Sequence, residues 1–298
     1  MCGIVGLHLR SPSLEPELGM LLAEMLVAMT DRGPDSAGIA IYEDEKPDTE
    51  HRYSLHSGGG SLDWLRLAEQ LADQVGADVR AERISDAAVF SSSVAPATFL
   101  PALAVASPTV NVFSQGRAVQ VFKDVGTPEE ICTRYEIRSR TGYQGLGHTR
   151  MATESAVTTE HSHPFSPAGD ICLVHNGSFS NYASVRRDLI DQGAVFDTDN
   201  DSEVAARLIA RELSRGKGLG EALERLLDSL DGFYTLLVTT ADEFAVVRDP
   251  FACKPAVIAE TDDYIAFGSE YRALAGLPGI DKARVFEPGP EELFVWSR

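Results

Sequence analysis

The second residue of the chain already opens a strand. Residues 2–9, CGIVGLHL, make a short, apolar, β-branched run that reads as buried. The rest of the fold must therefore be arranged around a strand at the N-terminus. Leu14, Leu18, Leu21, Leu22, Met25, Leu26 and Met29 then recur at helical spacing through residues 14–30. DRGPDSAG ends that helix, and Ala37–Tyr42 reads as a strand. Residues 43–60 are polar and Gly-rich and read as an exposed loop, with a helix expected over 61–75. Residues 85–125 are rich in Val, Ala, Ser, Thr and Phe and broken by prolines, which suggests short strands. Further strands are expected at 144–149 and 171–175, and helices at 181–192, 202–214 and 219–230. Strands follow at 233–240, 243–248, 255–259, 264–268 and 292–296. Strands, then helices, then strands, without βαβ alternation, indicate an α+β layered sandwich of mostly antiparallel sheets.

A chain of 298 residues, 44% of them hydrophobic, can bury a substantial core. No linker divides it, so one domain over residues 1–298 is expected. The formal net charge of −19 disfavours nucleic acid and anionic membranes as partners. The start carries no secretory pattern and no apolar run approaches a membrane span, so a cytoplasmic protein is expected. The cysteines Cys2, Cys132, Cys172 and Cys253 form no CxxC pair, and no metal site is expected. Cys132, Cys172 and Cys253 read as core residues. His161 and His163 form an HxH pair, but with no third ligand at helical spacing they read as structural.

Cys2 has a chemistry that its position alone can supply. With Met1 removed, its α-amine is free beside its thiol. Such an amine has an unperturbed pKa of ~7.7–8.0, so roughly a third is neutral near pH 7.5 and can take the thiol proton. A small buried residue in a first strand explains the position equally well.

Three other stretches offer groups that an amino-acid amidase needs. In GHTRMAT (147–153), Arg150 closes a strand and can grip a carboxylate through two parallel bonds. In VHNGSFSN (174–181), the side-chain amide of Asn176 and the N–H of Gly177 can face one oxygen. The same dipeptide also marks a plain turn. In TDNDSEV (198–204), Asp199, Asp201 and Glu203 crowd a helix start, where they can cap it or, from Asp201, meet an ammonium.

Taken in order, these pieces resemble the class II glutamine amidotransferases. The similar segments are CGIVG (2–6), DRGPDSAG (31–38), GHTRMAT, HPF (163–165), HNG (175–177), TDNDSE (198–203), DGFYTLL (231–237), RDPFACKP (248–255) and FGSEYRAL (267–274). The resemblance implies an N-terminal-nucleophile hydrolase with a four-layer αββα sandwich. It implies Cys2 as nucleophile and base, Asn176 and Gly177 as oxyanion hole, Arg150 on the substrate carboxylate and Asp201 on its ammonium. The loop at 31–38 would cover the glutamine site, with Arg32 near the nucleophile. Asp31 stands where the family often has His, and Ala252 where its RDPxG stretch has Gly. The long separation of Cys2 from Arg150 implies an insertion within 43–140, a candidate docking surface.

The chain carries no phosphoribosyltransferase, sugar isomerase or asparagine-synthetase segment after the glutaminase part. SGGGS (57–61) is similar to an ATP motif only superficially and reads as a loop and helix cap. The resemblance is to separate amidotransferase subunits of glutamate-synthase-like complexes, including N-methylglutamate synthase. It implies no cofactor in this chain, and FMN and an iron–sulfur cluster in a partner subunit. Glutamine or γ-glutamylmethylamide would be the substrate. A stand-alone γ-glutamyl amide hydrolase and a catalytically silent scaffold are the alternatives.

Overall fold

The computed structural model describes residues 2–44, 50–151 and 157–298. Its strands are β1 (Gly3–Leu9), β2 (Ser36–Tyr42), β3 (His51–His56), β4 (Val79–Ile84), β5 (Ala87–Ser92), β6 (Asn111–Gly116), β7 (Val119–Val125) and β8 (Gln144–Arg150). They continue as β9 (Cys172–Phe179), β10 (Gly232–Thr239), β11 (Glu243–Arg248), β12 (Val257–Glu260), β13 (Tyr264–Gly268), β14 (Arg284–Phe286) and β15 (Leu293–Ser297). The helices are α1 (Leu18–Val27), α2 (Trp64–Val75), α3 (Pro96–Ala106), α4 (Pro128–Arg134), α5 (Tyr182–Asp191), α6 (Asp201–Ser214) and α7 (Leu219–Ser229).

Every residue of β1 is buried, because it lies inside a seven-stranded sheet of order β14-β12-β13-β1-β8-β2-β7. A second sheet, β15-β11-β10-β9, packs against it. Side chains alternate across each strand, so each sheet has an inner and an outer face. Ile4, Leu146, Val174 and Leu237 meet between the sheets. On the outer face of the first sheet, Val5, Leu7, Leu22 and Leu26 bury α1, and Ile131 brings in α4. On the outer face of the second, Leu173, Leu208, Ile209 and Leu223 bury α6 and α7. Each such side chain removed from water contributes roughly 1.5–3 kcal/mol. The architecture is thus the αββα sandwich expected, and all strand pairings within its sheets are antiparallel.

Residues 51–116 contribute a third sheet, β4-β5-β3-β6, and the helices α2 and α3. Tyr53, Leu55, Trp64, Leu71, Phe90 and Phe99 form its separate core. Two expectations fail here. The region read as a loop contains β3, of which five residues are buried. Tyr53 and Leu55 point into the local core, while Arg52 pairs with Glu43 and Ser54 bonds Ser114, so the strand's polar side is also occupied. Within the stretch read as short strands, residues 96–106 are helical. Pro96 stands in the first turn, where its missing N–H costs nothing, and Phe99, Ala102 and Leu103 anchor the helix. The helix expected over 61–75 starts at Trp64, and its cap is Asp63, which accepts from the N–H of Arg66 at 3.1 Å. Among the described residues, no helix is long and apolar enough to cross a membrane.

Candidate active site

The register between β1 and β8 pairs Gly3 with Thr149, so one further step sets Cys2 beside Arg150. Alternation carries both onto the inner face that Ile4 and Leu146 share. Several contacts fix this end of β1. The Gly3 N–H donates to Thr149 Oγ1 at 3.1 Å, and the Ile4 N–H donates to Ser269 Oγ at 2.9 Å. Arg32 Nε donates to the Cys2 carbonyl at 2.9 Å, and its Nη1 pairs with Glu270 at 2.6 Å. Arg32 is buried and its Nη2 has no partner among the described residues. Within 31–38, Arg32 reaches the Cys2 carbonyl, whereas Ser36, Ala37 and Gly38 belong to β2 and pair with β8. Gly33 lies so close to the Arg150 backbone that an added Cβ would stand 2.5 Å from its carbonyl carbon. Arg150 is itself buried.

Asn176 and Gly177 approach from the opposite sheet. They lie inside β9, paired with Thr235 and Tyr234, so the turn reading of this dipeptide is wrong. The Tyr234 N–H donates to the Asp249 carboxylate and its carbonyl accepts from the Asp249 N–H, so neither group is spent on β9. Odd-numbered residues of β9 therefore direct their N–H and C=O toward its free edge. Leu173 uses these groups on Phe165, the His175 carbonyl accepts from His148 Nε2 at 3.0 Å, and the Phe179 N–H donates to Asp201 Oδ2 at 3.0 Å. The Gly177 N–H faces the same edge between these occupied positions. Its φ of +151° and an added Cβ's approach to 1.9 Å from the Phe233 carbonyl exclude any side chain there. Asn176 points inward like Val174, is buried, and its Nδ2 has no partner among the described residues. The Asn176 side chain thus faces the layer between the sheets, with the Gly177 N–H beside it on the strand edge. Such a pair can receive a developing oxyanion.

Asp201 is the first residue of α6, and Asn200 rather than an acid caps that helix. The Asp201 carboxylate holds the Phe179 N–H and stands 3.2 Å from Ser202 Oγ, with acceptor positions to spare. His175 Nδ1 lies 2.8 Å from that same Ser202 Oγ. Asp199 instead pairs with His161 at 2.8 Å, and Glu203 accepts from the Asp197 and Thr198 N–H groups, which shapes the loop before the helix.

The HxH pair splits into separate tasks, because His163 stacks on His148 at 4.1 Å while His161 bonds Thr158 and Asp199. Burial pushes His148 down to about 3 and lowers His163 and His175, so all three rings are neutral. Burial likewise pushes the Cys132 and Cys172 thiols up to about 12, which makes them inert. Cys253 is exposed, against the expectation of a core position. A cavity of about 500 Å³ opens between β6 and the start of α6, lined by Phe113, Lys123 and Glu203 but not by Cys2 or Asn176. Thr149, Ser269 and Glu270 were not singled out in the sequence. FGSEYRAL contains two of them and is one of the segments that carry the family resemblance.

The fold is that of the N-terminal-nucleophile hydrolases, as in the class II glutamine amidotransferases. Residues 148–276 match the glutamine amidotransferase domain. The chain is 50% identical to the glutamine amidotransferase-like protein GlxB of Rhizobium meliloti, covering all of this chain and 98% of that one. It is 32% identical to a putative glutamine amidotransferase of Methanothermobacter thermautotrophicus, over the full length of both. The glutamine phosphoribosylpyrophosphate amidotransferase of B. subtilis shares the fold, with a TM-score of 0.63 at 21% identity over 99% of this chain and 47% of that one. The chain belongs to the glutamine amidotransferase family.

Proposed function

We propose that the chain hydrolyses the side-chain amide of glutamine, or of a γ-glutamyl amide, with Cys2 as N-terminal nucleophile. The observation that supports this reading is that β1 and β8, which lead to Cys2 and end on Arg150, face β9 across the sandwich, where the buried Asn176 Nδ2 has no partner among the described residues. Arg150 holds the substrate α-carboxylate and Asp201 its ammonium. Arg32, which grips the Cys2 carbonyl, keeps Cys2 in place and borders the bound substrate. The α-amine of Cys2 takes the thiol proton, and sulfur attacks the amide carbon. Asn176 and Gly177 stabilise the oxyanion. The same amine returns the proton to the leaving nitrogen, which departs as ammonia or amine. Water then cleaves the γ-glutamyl thioester, giving glutamate and the free thiol. The route requires removal of Met1, which lies outside the described residues.

The released nitrogen passes to a glutamate-synthase-like partner of the N-methylglutamate synthase kind. That subunit carries the FMN and the iron–sulfur cluster. The separate sheet of residues 51–116, read as an insertion in a single domain, offers a surface for it. Cys2→Ala should abolish glutamate release in a coupled assay, and intact mass should show a mature chain that starts at Cys2. Most of the activity surviving in that variant would sink the mechanism. Affinity purification from the native host should bring down a flavin and iron–sulfur subunit. A chain recovered alone points instead to a stand-alone γ-glutamyl amide hydrolase.

A further inference from the structure

β9 is an edge strand, and an edge strand has no neighbour to hold its outer backbone groups in place. Yet the two donors assigned to the oxyanion depend on where that edge lies. Toward the start of the strand it is tied through Leu173 to Phe165, and toward its end through Phe179 to Asp201. Between them the His175 carbonyl, one residue before Asn176, receives the Nε2–H of His148 at 3.0 Å. His148 stands on β8 two residues before Arg150 and on the same face. One imidazole therefore spans the two sheets and joins the strand of the carboxylate clamp to the strand of the oxyanion donors.

The ring's surroundings suit a fixed strut. His148 is fully buried. It is stacked by His163, whose own ring meets Phe165 edge-on at 4.9 Å. The groups facing it are His163, His175 and Arg150, none of which supplies a negative charge. It stays neutral, and because a carbonyl can only accept, the proton must sit on Nε2. Donor and ring orientation are thereby fixed before substrate arrives.

We infer that His148 is a positioning residue for the oxyanion donors, holding the free edge of β9 so that Asn176 and Gly177 are registered against Cys2 and Arg150. The inference rests on the roles proposed above for Cys2, Asn176 and Gly177. It takes no proton from the substrate and touches no reacting atom. Loss of the strut should therefore lower kcat and leave the glutamine KM nearly unchanged.

The test compares His148→Leu, His148→Gln and Asn176→Ala, alone and combined, in the full-length protein with glutamine as substrate. Misplacement of a reacting group by an ångström costs on the order of 10²-fold. His148→Leu should lose about that factor in kcat, with KM changed less than about threefold. Glutamine places an amide N–H near the position of Nε2, so His148→Gln should recover most of the loss. In the Asn176→Ala background, His148→Leu should cost less than tenfold (about 1.4 kcal/mol), because the donor it registers is gone. Wild-type kcat in His148→Leu, or full additivity with Asn176→Ala, would overturn the inference. Equal loss in a folded His148→Gln would assign the effect to ring packing and overturn it too. Cys2→Ala, run in parallel, separates the levels. If that variant stays active, the underlying mechanism fails, and if it is dead while His148→Leu keeps wild-type kcat, only the strut fails.

Discussion

Two polar clusters, one just before β9 and one in its second half, treat their hydrogen bonds in opposite ways. Asp170, just before β9, accepts from the N–H groups of Arg117, Ala118 and Val119 at 2.8–3.0 Å, and its carbonyl accepts from Tyr42. It ties the turn between β6 and β7 to the sandwich through three backbone donors. In the second half of β9, Asn176 Nδ2 is buried without a partner among the described residues, and so is Arg32 Nη2 beside Cys2. A buried donor left unmade costs ~1–3 kcal/mol. A folded chain retains such groups where something other than folding needs them. On the function proposed above, one cluster serves stability and the other awaits the substrate.

Substitution at Asn176 presses hardest on that contrast. Asn176→Ala removes an oxyanion donor, and kcat should fall by ~10²–10³-fold. The same change removes an unsatisfied buried amide, so the urea midpoint should not decrease. A clear loss of stability with normal kcat would place Asn176 in the first cluster. Asp170→Ala should do the reverse. Three N–H groups lose a charged acceptor, and stability should drop by about 3 kcal/mol in urea unfolding, with turnover per folded molecule unchanged.

The histidines beside the site sharpen the comparison through pH. In the unfolded chain His148 protonates near 6.5, whereas in the folded chain burial keeps it neutral down to about 3. A group whose pKa is lowered by folding contributes fully above the unfolded value. That contribution is lost as acidification drives protons onto the unfolded chain. Between pH 7 and pH 5 this ring alone should cost about 2 kcal/mol, and His163 and His175 act in the same direction. His148→Gln should flatten the pH dependence of the unfolding midpoint by about that amount. An unchanged slope would mean that the ring is already charged in the folded protein.

How much of this was legible in the sequence follows from which contacts are local. The strand at residue 2 and the helices after residue 181 carry their burial in their own periodicity. β3 does not, because Arg52 and Ser54 are satisfied by partners from other segments and His56 lies 3.4 Å from Asp86. The candidate site was legible as residue types, Cys2, Arg150, Asn176, Gly177 and Asp201, but not as an arrangement. That Asn176-Gly177 is strand rather than turn depends on Tyr234 and Asp249, more than fifty residues away. The supports Thr149, Ser269 and Glu270 act through backbone or through Arg32, across separations of 146, 265 and 238 residues. No short-range pattern encodes those.

Ala252 belongs to neither cluster and shows the smallest effect. It follows Asp249, which accepts from the N–H groups of Tyr234, Phe251 and Ala252, so the loop is held firmly from inside. Arg248 adds a bond to the Ala252 carbonyl at 2.8 Å. These contacts impose a φ of +50° on a residue with a Cβ. A left-handed conformation costs such a residue ~1–2 kcal/mol. Glycine removes that cost but returns ~0.5–1 kcal/mol as greater freedom of the unfolded chain. Ala252→Gly should therefore stabilise by about 0.5 kcal/mol, a rise of about 1–2 °C in Tm. Unlike Asn176→Ala, it should leave kcat where it is, since the strain lies in a loop already satisfied by Asp249. A rise in kcat would mean that the strained loop holds back the site, and the separation of the stabilising loop from the reserved donors would have to be redrawn.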